Sequence, residues 1–278
     1  DLLRNKDSTT NFVFLTHVYE NQIDESDDYD SEIRLLDAKI VRIVTPTQSG
    51  IIKYWREFAE LVSQHGRPDI LHCHLNARSG LVSFVGWALS IRRIIVHAHA
   101  DLTFRGNLFY RIIAQAELAI SKMLFFLTAT DRWGCSDRAV RSLFSVRLLP
   151  TPQMVVINNA IDLGRFQCLT KEQVVESRNH LVGDTNPVLI LGSVGRVVPH
   201  KNFSFLIKVF AALRDRCIQI LLFIVCRVVD KKEIENLKVL CRQLSVEEFV
   251  QFLGPRDDIP LLMASFDVFV SPALKEGF

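Results

Sequence analysis

The sequence predicts an α/β protein made of two parallel-sheet halves, and three observations carry that prediction. From residue 39 onward, short apolar runs of strand character alternate with segments of helical period. The same alternation restarts after the polar run 170–186, so the pattern occurs twice, and each occurrence calls for a sheet with helices on both faces. A length of 278 residues accommodates two ordinary domains or one large one, with a sizeable buried core.

Taken in order, 1–5 reads as the tail of a helix and 11–16 as the strand after it. The stretch 20–32 holds seven acidic side chains and no glycine, which makes it a solvated loop rather than a calcium loop. Strand 39–44, helix 51–64, strand 69–74, helix 80–89 and strand 93–99 follow. A long apolar-rich helix is expected over 105–128 with Arg111, Glu117 and Lys122 on its polar face, then a short strand at 133–136. Helix 137–143 is capped by Ser136 or Asp137, and 153–157 is a strand. The second half reads strand 188–194, helix 203–214, strand 218–226, helix 231–243, strand 248–252, helix 257–264 and strand 267–270.

Composition narrows the function. With 49% hydrophobic and 23% charged residues the chain is globular, without a disorder signature, and a formal charge of +2 gives no reason to expect nucleic acid. The six cysteines are scattered, with no C-x-x-C pair, and read as reduced thiols of a cytoplasmic protein. The longest apolar stretches, 81–91 and 218–226, are shorter than the ~20 residues a spanning helix needs, and no signal peptide is read at Asp1-Leu-Leu-Arg.

The chemistry concentrates in Gly192-Ser-Val-Gly-Arg196-Val-Val-Pro-His-Lys201-Asn202. A buried strand is expected to break at its small residues and to present an Arg and a Lys before a helix starts at Phe203, an arrangement suited to an anion. A plain βα turn with two solvated cations reads the same way. The far end adds weight: strand 267–270 exits into Ser271-Pro-Ala-Leu-Lys-Glu276-Gly277-Phe278, so Arg196, Lys201 and Glu276 are expected on one sheet edge, where open parallel sheets bind ligands.

These segments, with Phe252-Leu253-Gly254, Asp257 and Asp258 between them, resemble the donor-site motifs of family 4 of the retaining glycosyltransferases. Tyr29-Asp-Ser-Glu-Ile33, Val96-His-Ala-His99 and Asn159-Ala-Ile-Asp162 extend the resemblance to enzymes of bacterial capsule and exopolysaccharide assembly. It implies a GT-B fold, two Rossmann-like domains facing a cleft. An acceptor-side domain is expected over 1–166 and a nucleotide-sugar donor domain over 167–278, the second incomplete. It also implies a first strand and Gly-rich loop before residue 1 and a second Glu beyond Phe278, and the chain is expected to be a fragment.

The roles the resemblance implies are these. Arg196 and Lys201 hold the donor phosphates, Asn202, Gly277 and Phe278 line the donor, Glu276 bonds the sugar, and His99 (or His97) meets the sugar from the first domain. The donor is a nucleotide-diphosphate sugar, UDP-linked by resemblance. The acceptor is a glycan or lipid-linked sugar, with peripheral contact at the cytoplasmic face of the inner membrane.

No cofactor and no metal are expected. His72 with His74, and His97 with His99, are H-x-H pairs suited to a metal, yet the sequence shows no third and fourth ligand for either. Two other readings stand beside transfer: a nucleotide-sugar epimerase, whose paired carboxylates would have to be Asp101 and Glu276, and an inactive nucleotide-sugar-binding module. Val225-Cys226-Arg227-Val228, where the family pattern is Val-Gly-x-Gly, favours the last.

Overall fold

The computed structural model describes residues 7, 9–20, 30–102, 107–145, 153–183, 185, 187, 189–216, 219–228 and 231–274. The chain divides into two compact units between Asn159 and Ala160.

The first unit opens with β1 (Val13–Val18), α1 (Asp30–Leu35), β2 (Lys39–Val44), α2 (Pro46–Ser49) and α3 (Ile51–His65). It continues with β3 (Ile70–Cys73), α4 (Ser79–Ala88), β4 (Arg93–Ala98), α5 (Leu108–Thr128), β5 (Asp131–Gly134), α6 (Asp137–Phe144) and β6 (Val155–Val156). β1 pairs with β2, and β3-β4-β5-β6 form a second parallel sheet in chain order. Ile43 of β2, Tyr54 and Phe58 of α3, Val85 of α4, Val96 of β4, Phe125 of α5 and Leu143 of α6 share one core. Ser136 caps α6 by accepting from the Ala139 N–H, the first of the two caps the sequence offered.

Two expectations in this unit are corrected. The end of the acidic stretch is helical: Asp30 opens α1, is buried, and pairs with Arg42 of β2, which compensates its charge. The rest of that stretch, 21–29, lies outside the described residues. On α5, Lys122 does not point to water. It is half-buried with Nζ donating to the Ser145 carbonyl at 2.7 Å, and burial lowers its pKa. The α4–α5 crossing is close because Gly80 has no side chain; a Cβ there would lie 2.8 Å from Ser121 Oγ. That crossing buries Ala114, Ser121, Phe125 and Thr128, and leaves Phe109, Ile112, Ile113, Ile120, Met123 and Leu127 exposed.

The second unit contains α7 (Gly164–Gln167), α8 (Lys171–Val182), β7 (Leu189–Val197), α9 (Phe203–Arg214), β8 (Ile220–Val228), α10 (Lys231–Gln243), β9 (Val250–Gly254), α11 (Ile259–Ser265) and β10 (Val268–Phe269). Its parallel sheet has the order β10-β7-β8-β9. Leu191, Leu222 and Ile224 pack on one face with Phe203, Ile207 and Phe210 of α9 and Leu237 of α10, while Ile190, Phe223 and Val225 pack on the other with Leu262 of α11 and Leu181 of α8. The alternation along β7 and β8 therefore feeds two cores, one on each side of the sheet.

Most of the polar run 170–186, for which the sequence pattern predicts no element, is the helix α8. It starts with a reciprocal capping box in which Thr170 and Gln173 satisfy each other's backbone N–H. Arg178 on α8 donates two bonds to Asp267 at 3.0 and 2.9 Å, and Asp267 also accepts the Ile190 N–H at 2.7 Å. One carboxylate thus joins α8, β7 and the start of β10. Among the described residues no helix is long and apolar enough to cross a membrane.

Candidate active site

The anion-binding motif occupies the end of β7 and the turn after it, and one expectation about it fails. The strand does not break at Gly192; it continues to Val197, paired with β8 throughout. Gly192 serves packing instead. A Cβ at that position would lie 1.8 Å from Cδ2 and 2.1 Å from Cε2 of Phe266, so the glycine lets the ring lie against the strand. β8 also continues past the expected end, through Arg227 to Val228.

Arg196 is exposed near the carboxyl end of β7, level with Arg227 on β8. Residues paired in register project to the same face, so Arg196 and Arg227 leave the sheet on one side. The sequence pattern assigns no role to Arg227, which falls at the free position between Cys226 and Val228 of a glycine pattern, because its neighbour is set by strand register. A 3₁₀ turn, Pro199–Lys201, leads into Asn202, whose φ of 58° and ψ of 36° lie in the left-handed region that Asn tolerates. Lys201 lies back along the strand: its Cδ and Cε are 3.5 and 3.7 Å from where a Cβ on Gly195 would be. The amino end of the 12-residue α9, with its positive dipole end, opens at the same turn.

The loop after β10 is held against this turn. Asn202 Nδ2 donates to the Pro272 carbonyl at 3.2 Å, and the Leu274 N–H donates to the His200 carbonyl at 2.9 Å. The structure therefore brings Arg196, Lys201 and Asn202 together with residues 271–274. Glu276, Gly277 and Phe278 lie outside the described residues. A small cavity of about 200 Å³ between α8, β9 and α11, lined by Ser177, His180, Gln251 and Arg256 among others, includes none of the expected site residues.

In the first unit the two H-x-H pairs meet. β3 and β4 are parallel neighbours with His72 level with Ile95, so His72, His74, His97 and His99 lie on one face. His72 Nε2 is 3.2 Å from His97 Nδ1, and His74 Nδ1 is 2.6 Å from His99 Nε2. The His72 and His97 rings are parallel, with centroids 5.4 Å apart, and Trp133 of β5 stands edge-on to both. The His99 N–H donates to Asn76 Oδ1, a partner that no sequence signal indicated. Asp101, the epimerase reading's first carboxylate, is ion-paired with Arg138 at 2.8 Å.

Burial, followed by the neighbouring imidazoles, pushes His72 down to about 3 and His97 down to about 4; His74 is lowered by burial and His99, and His99 by burial. Folded-state values below the unfolded ~6.5 mean that the unfolded chain binds more protons as pH falls. The stability these rings lend is complete above about pH 6.5 and is lost as pH falls toward the folded values of about 4 and about 3. Metal-free protein should therefore melt at a lower temperature at pH 5 than at pH 8, and His72→Phe should flatten the dependence. Equal melting at both values would contradict it.

Anabaena HepE, solved in complex with UDP and glucose, matches with a TM-score of 0.72 over 95% of this chain and 74% of its own, at 17% identity. The fold is GT-B, the fold of glycosyltransferases. Residues 177–278 match the family described as "Glycosyl transferases group 1". EpsF of Bacillus subtilis (strain 168), named as a glycosyltransferase, is 27% identical over 90% of this chain and 63% of its own length. An Escherichia coli UDP-Gal:alpha-D-GlcNAc-diphosphoundecaprenol alpha-1,3-galactosyltransferase is 24% identical over 87% of this chain and 62% of its own. The chain thus spans about three fifths of the length of the curated relatives it matches.

Proposed function

We propose that this protein transfers a hexose from a UDP-sugar to a glycan or lipid-linked acceptor in polysaccharide synthesis, with retention of anomeric configuration. The observation that carries the reading is the second unit's carboxyl edge, where Arg196, Lys201 and the amino end of α9 meet at one turn bonded to the 271–274 loop. The relatives support a sugar donor and acceptor of this kind: one is named for UDP-galactose and a diphosphoundecaprenol-linked sugar, and HepE was solved with UDP.

The step breaks the bond between the anomeric carbon and the leaving phosphate oxygen and joins the acceptor oxygen to the same face of the sugar. The acceptor proton goes to the departing phosphate. Charge builds on that phosphate, where Arg196 offers a two-pronged donor, Lys201 a point charge and α9 its backbone N–H groups, all fixed before reaction. These groups supply the positive charge without a metal. The resemblance assigns His99, Glu276, Gly277 and Phe278 to the donor sugar. The acceptor reading extends to the cytoplasmic face of the inner membrane, supported by the outward apolar residues and Arg111 of α5.

The test is transfer by the full-length protein against a panel of nucleotide hexoses and lipid-linked acceptors, with product configuration read by NMR. The expected result is transfer from a UDP-hexose with configuration retained. Inverted product would end the retaining reading. Nucleotide binding with neither transfer nor hydrolysis would favour the binding module, to which Cys226 and Val228 at the family's glycine positions already point.

A further inference from the structure

The first unit holds a cluster that the transfer reading uses only in part. Read one strand at a time, each H-x-H pair offers two ligands, too few for an ion; the pairing of β3 with β4 pools them. We propose that His72, His74 and His97 form a binding site for a divalent d-block cation of the zinc type, with His99 orienting His74 from outside the ligand set. The inference stands apart from sugar transfer and does not depend on it.

Four observations support it. First, one ligand nitrogen from each of His72, His74 and His97 lies within 4.8 Å of the other two. Bonds of about 2.0–2.1 Å in a tetrahedral site set nitrogens roughly 3.3 Å apart, and His72 Nε2 and His97 Nδ1 already stand 3.2 Å apart. Closing the site requires His74 to approach through rotation of its ring. Second, His97 is 8% exposed, and its Nε2 is buried without a hydrogen-bond partner among the described residues. Buried polar nitrogens nearly always have a partner, and an ion supplies one here only through Nε2, not through the Nδ1 that stands 3.2 Å from His72 Nε2.

Third, the surroundings resemble those of ligating histidines. With the proton on His74 Nδ1, its hydrogen bond to His99 leaves Nε2 as the lone-pair atom, which is how an outer imidazole fixes the tautomer of a ligand. Trp133 stands edge-on to His72 and His97, at 85° and 84°, and restricts their rotation. Fourth, the donor set is chemically selective. Three imidazoles suit zinc, cobalt, nickel or copper, whereas magnesium and calcium require oxygen ligands. Cys73 lies between His72 and His74 but faces the core, where burial holds its thiol up at about 12, so it is not among the ligands.

The test uses the whole chain, stripped with a chelator and titrated with cobalt(II) chloride, then with zinc(II). The expected result is one ion per chain, with the strong visible absorption of four-coordinate cobalt, lost as zinc displaces it and unaffected by excess magnesium. His72→Ala, His74→Ala and His97→Ala should each weaken binding at least about tenfold, and His99→Phe by about tenfold through loss of its orienting bond. Variants of His65 on α3 and His180 on α8, both outside the cluster, should leave it unchanged. Absence of the cobalt spectrum, or equal affinity in the cluster variants, overturns the site and leaves a ladder of hydrogen-bonded neutral imidazoles. If the alanine variants do not fold, X-ray absorption on the wild-type zinc complex decides, and fewer than three imidazoles bound to the ion overturns the proposal.

Discussion

Arg196→Ala should lower kcat/KM for sugar transfer by roughly 10²–10³, equivalent to about 2.7–4 kcal/mol of transition-state stabilisation, while leaving thermal stability nearly unchanged. The two halves of this expectation have separate causes. Arg196 is exposed on β7, so its guanidinium contributes little to packing, and exposed substitutions usually stay within about 0.5 kcal/mol. On the proposed reading, the catalytic loss arises because the group stands beside a phosphate whose charge increases only as the glycosidic bond breaks. Arg196→Lys should recover part of the rate, since a point charge replaces a two-pronged donor. A fall of less than about tenfold in the alanine variant would remove phosphate holding from Arg196 and turn attention to Arg227, its neighbour in register. An equal loss of stability would mean that the residue acts on the fold.

Gly192→Ala should destabilise the second unit by about 1–3 kcal/mol, and Gly192→Val by more, because the new Cβ overlaps the Phe266 ring at 1.8–2.3 Å. The ring cannot move away easily. Phe266 is 9% exposed and stacks on Phe223, with centroids 6.4 Å apart and planes 9° from parallel. Urea unfolding of the single variants and of Gly192→Ala/Phe266→Leu gives the coupling directly. The shorter side chain should restore part of the loss, with an interaction of about 0.5–3 kcal/mol. Additive losses would show that the close approach is not what makes glycine necessary. The glycine stands in the middle of a strand, so the effect should appear in stability and not in nucleotide binding alone.

Much of this architecture was legible because local periodicity and burial coincide. β2 at 39–44, α9 at 203–214 and α10 at 231–243 have the limits their patterns give, since strong alternation or helical period meets a real core there. α8 was missed for the opposite reason. No residue of this helix is buried, so it has little apolar stripe to show, and only the Thr170–Gln173 capping box marked it. β6 and β10 are two-residue ladders, shorter than their apolar runs, because a run of residues cannot show how far a neighbouring strand extends.

The donor-side site divides along the same line. Arg196, Lys201 and Asn202 could be picked out because a strand, a turn and a helix start within a dozen residues, and the nearness of the 271–274 loop followed from expecting it at the next strand exit. Arg227 beside Arg196 was not visible, nor was the reason for Gly192, nor Asn76 behind His99. The sequence by itself determined the α/β class, the order of the strands and the residues able to carry charge at one strand exit, since these follow from local pattern and residue chemistry. Only the tertiary structure decided which side chains become neighbours. Strand register set Arg227 beside Arg196 and pooled four histidines from two H-x-H pairs, because pairing between strands depends on long-range contacts that no local window contains.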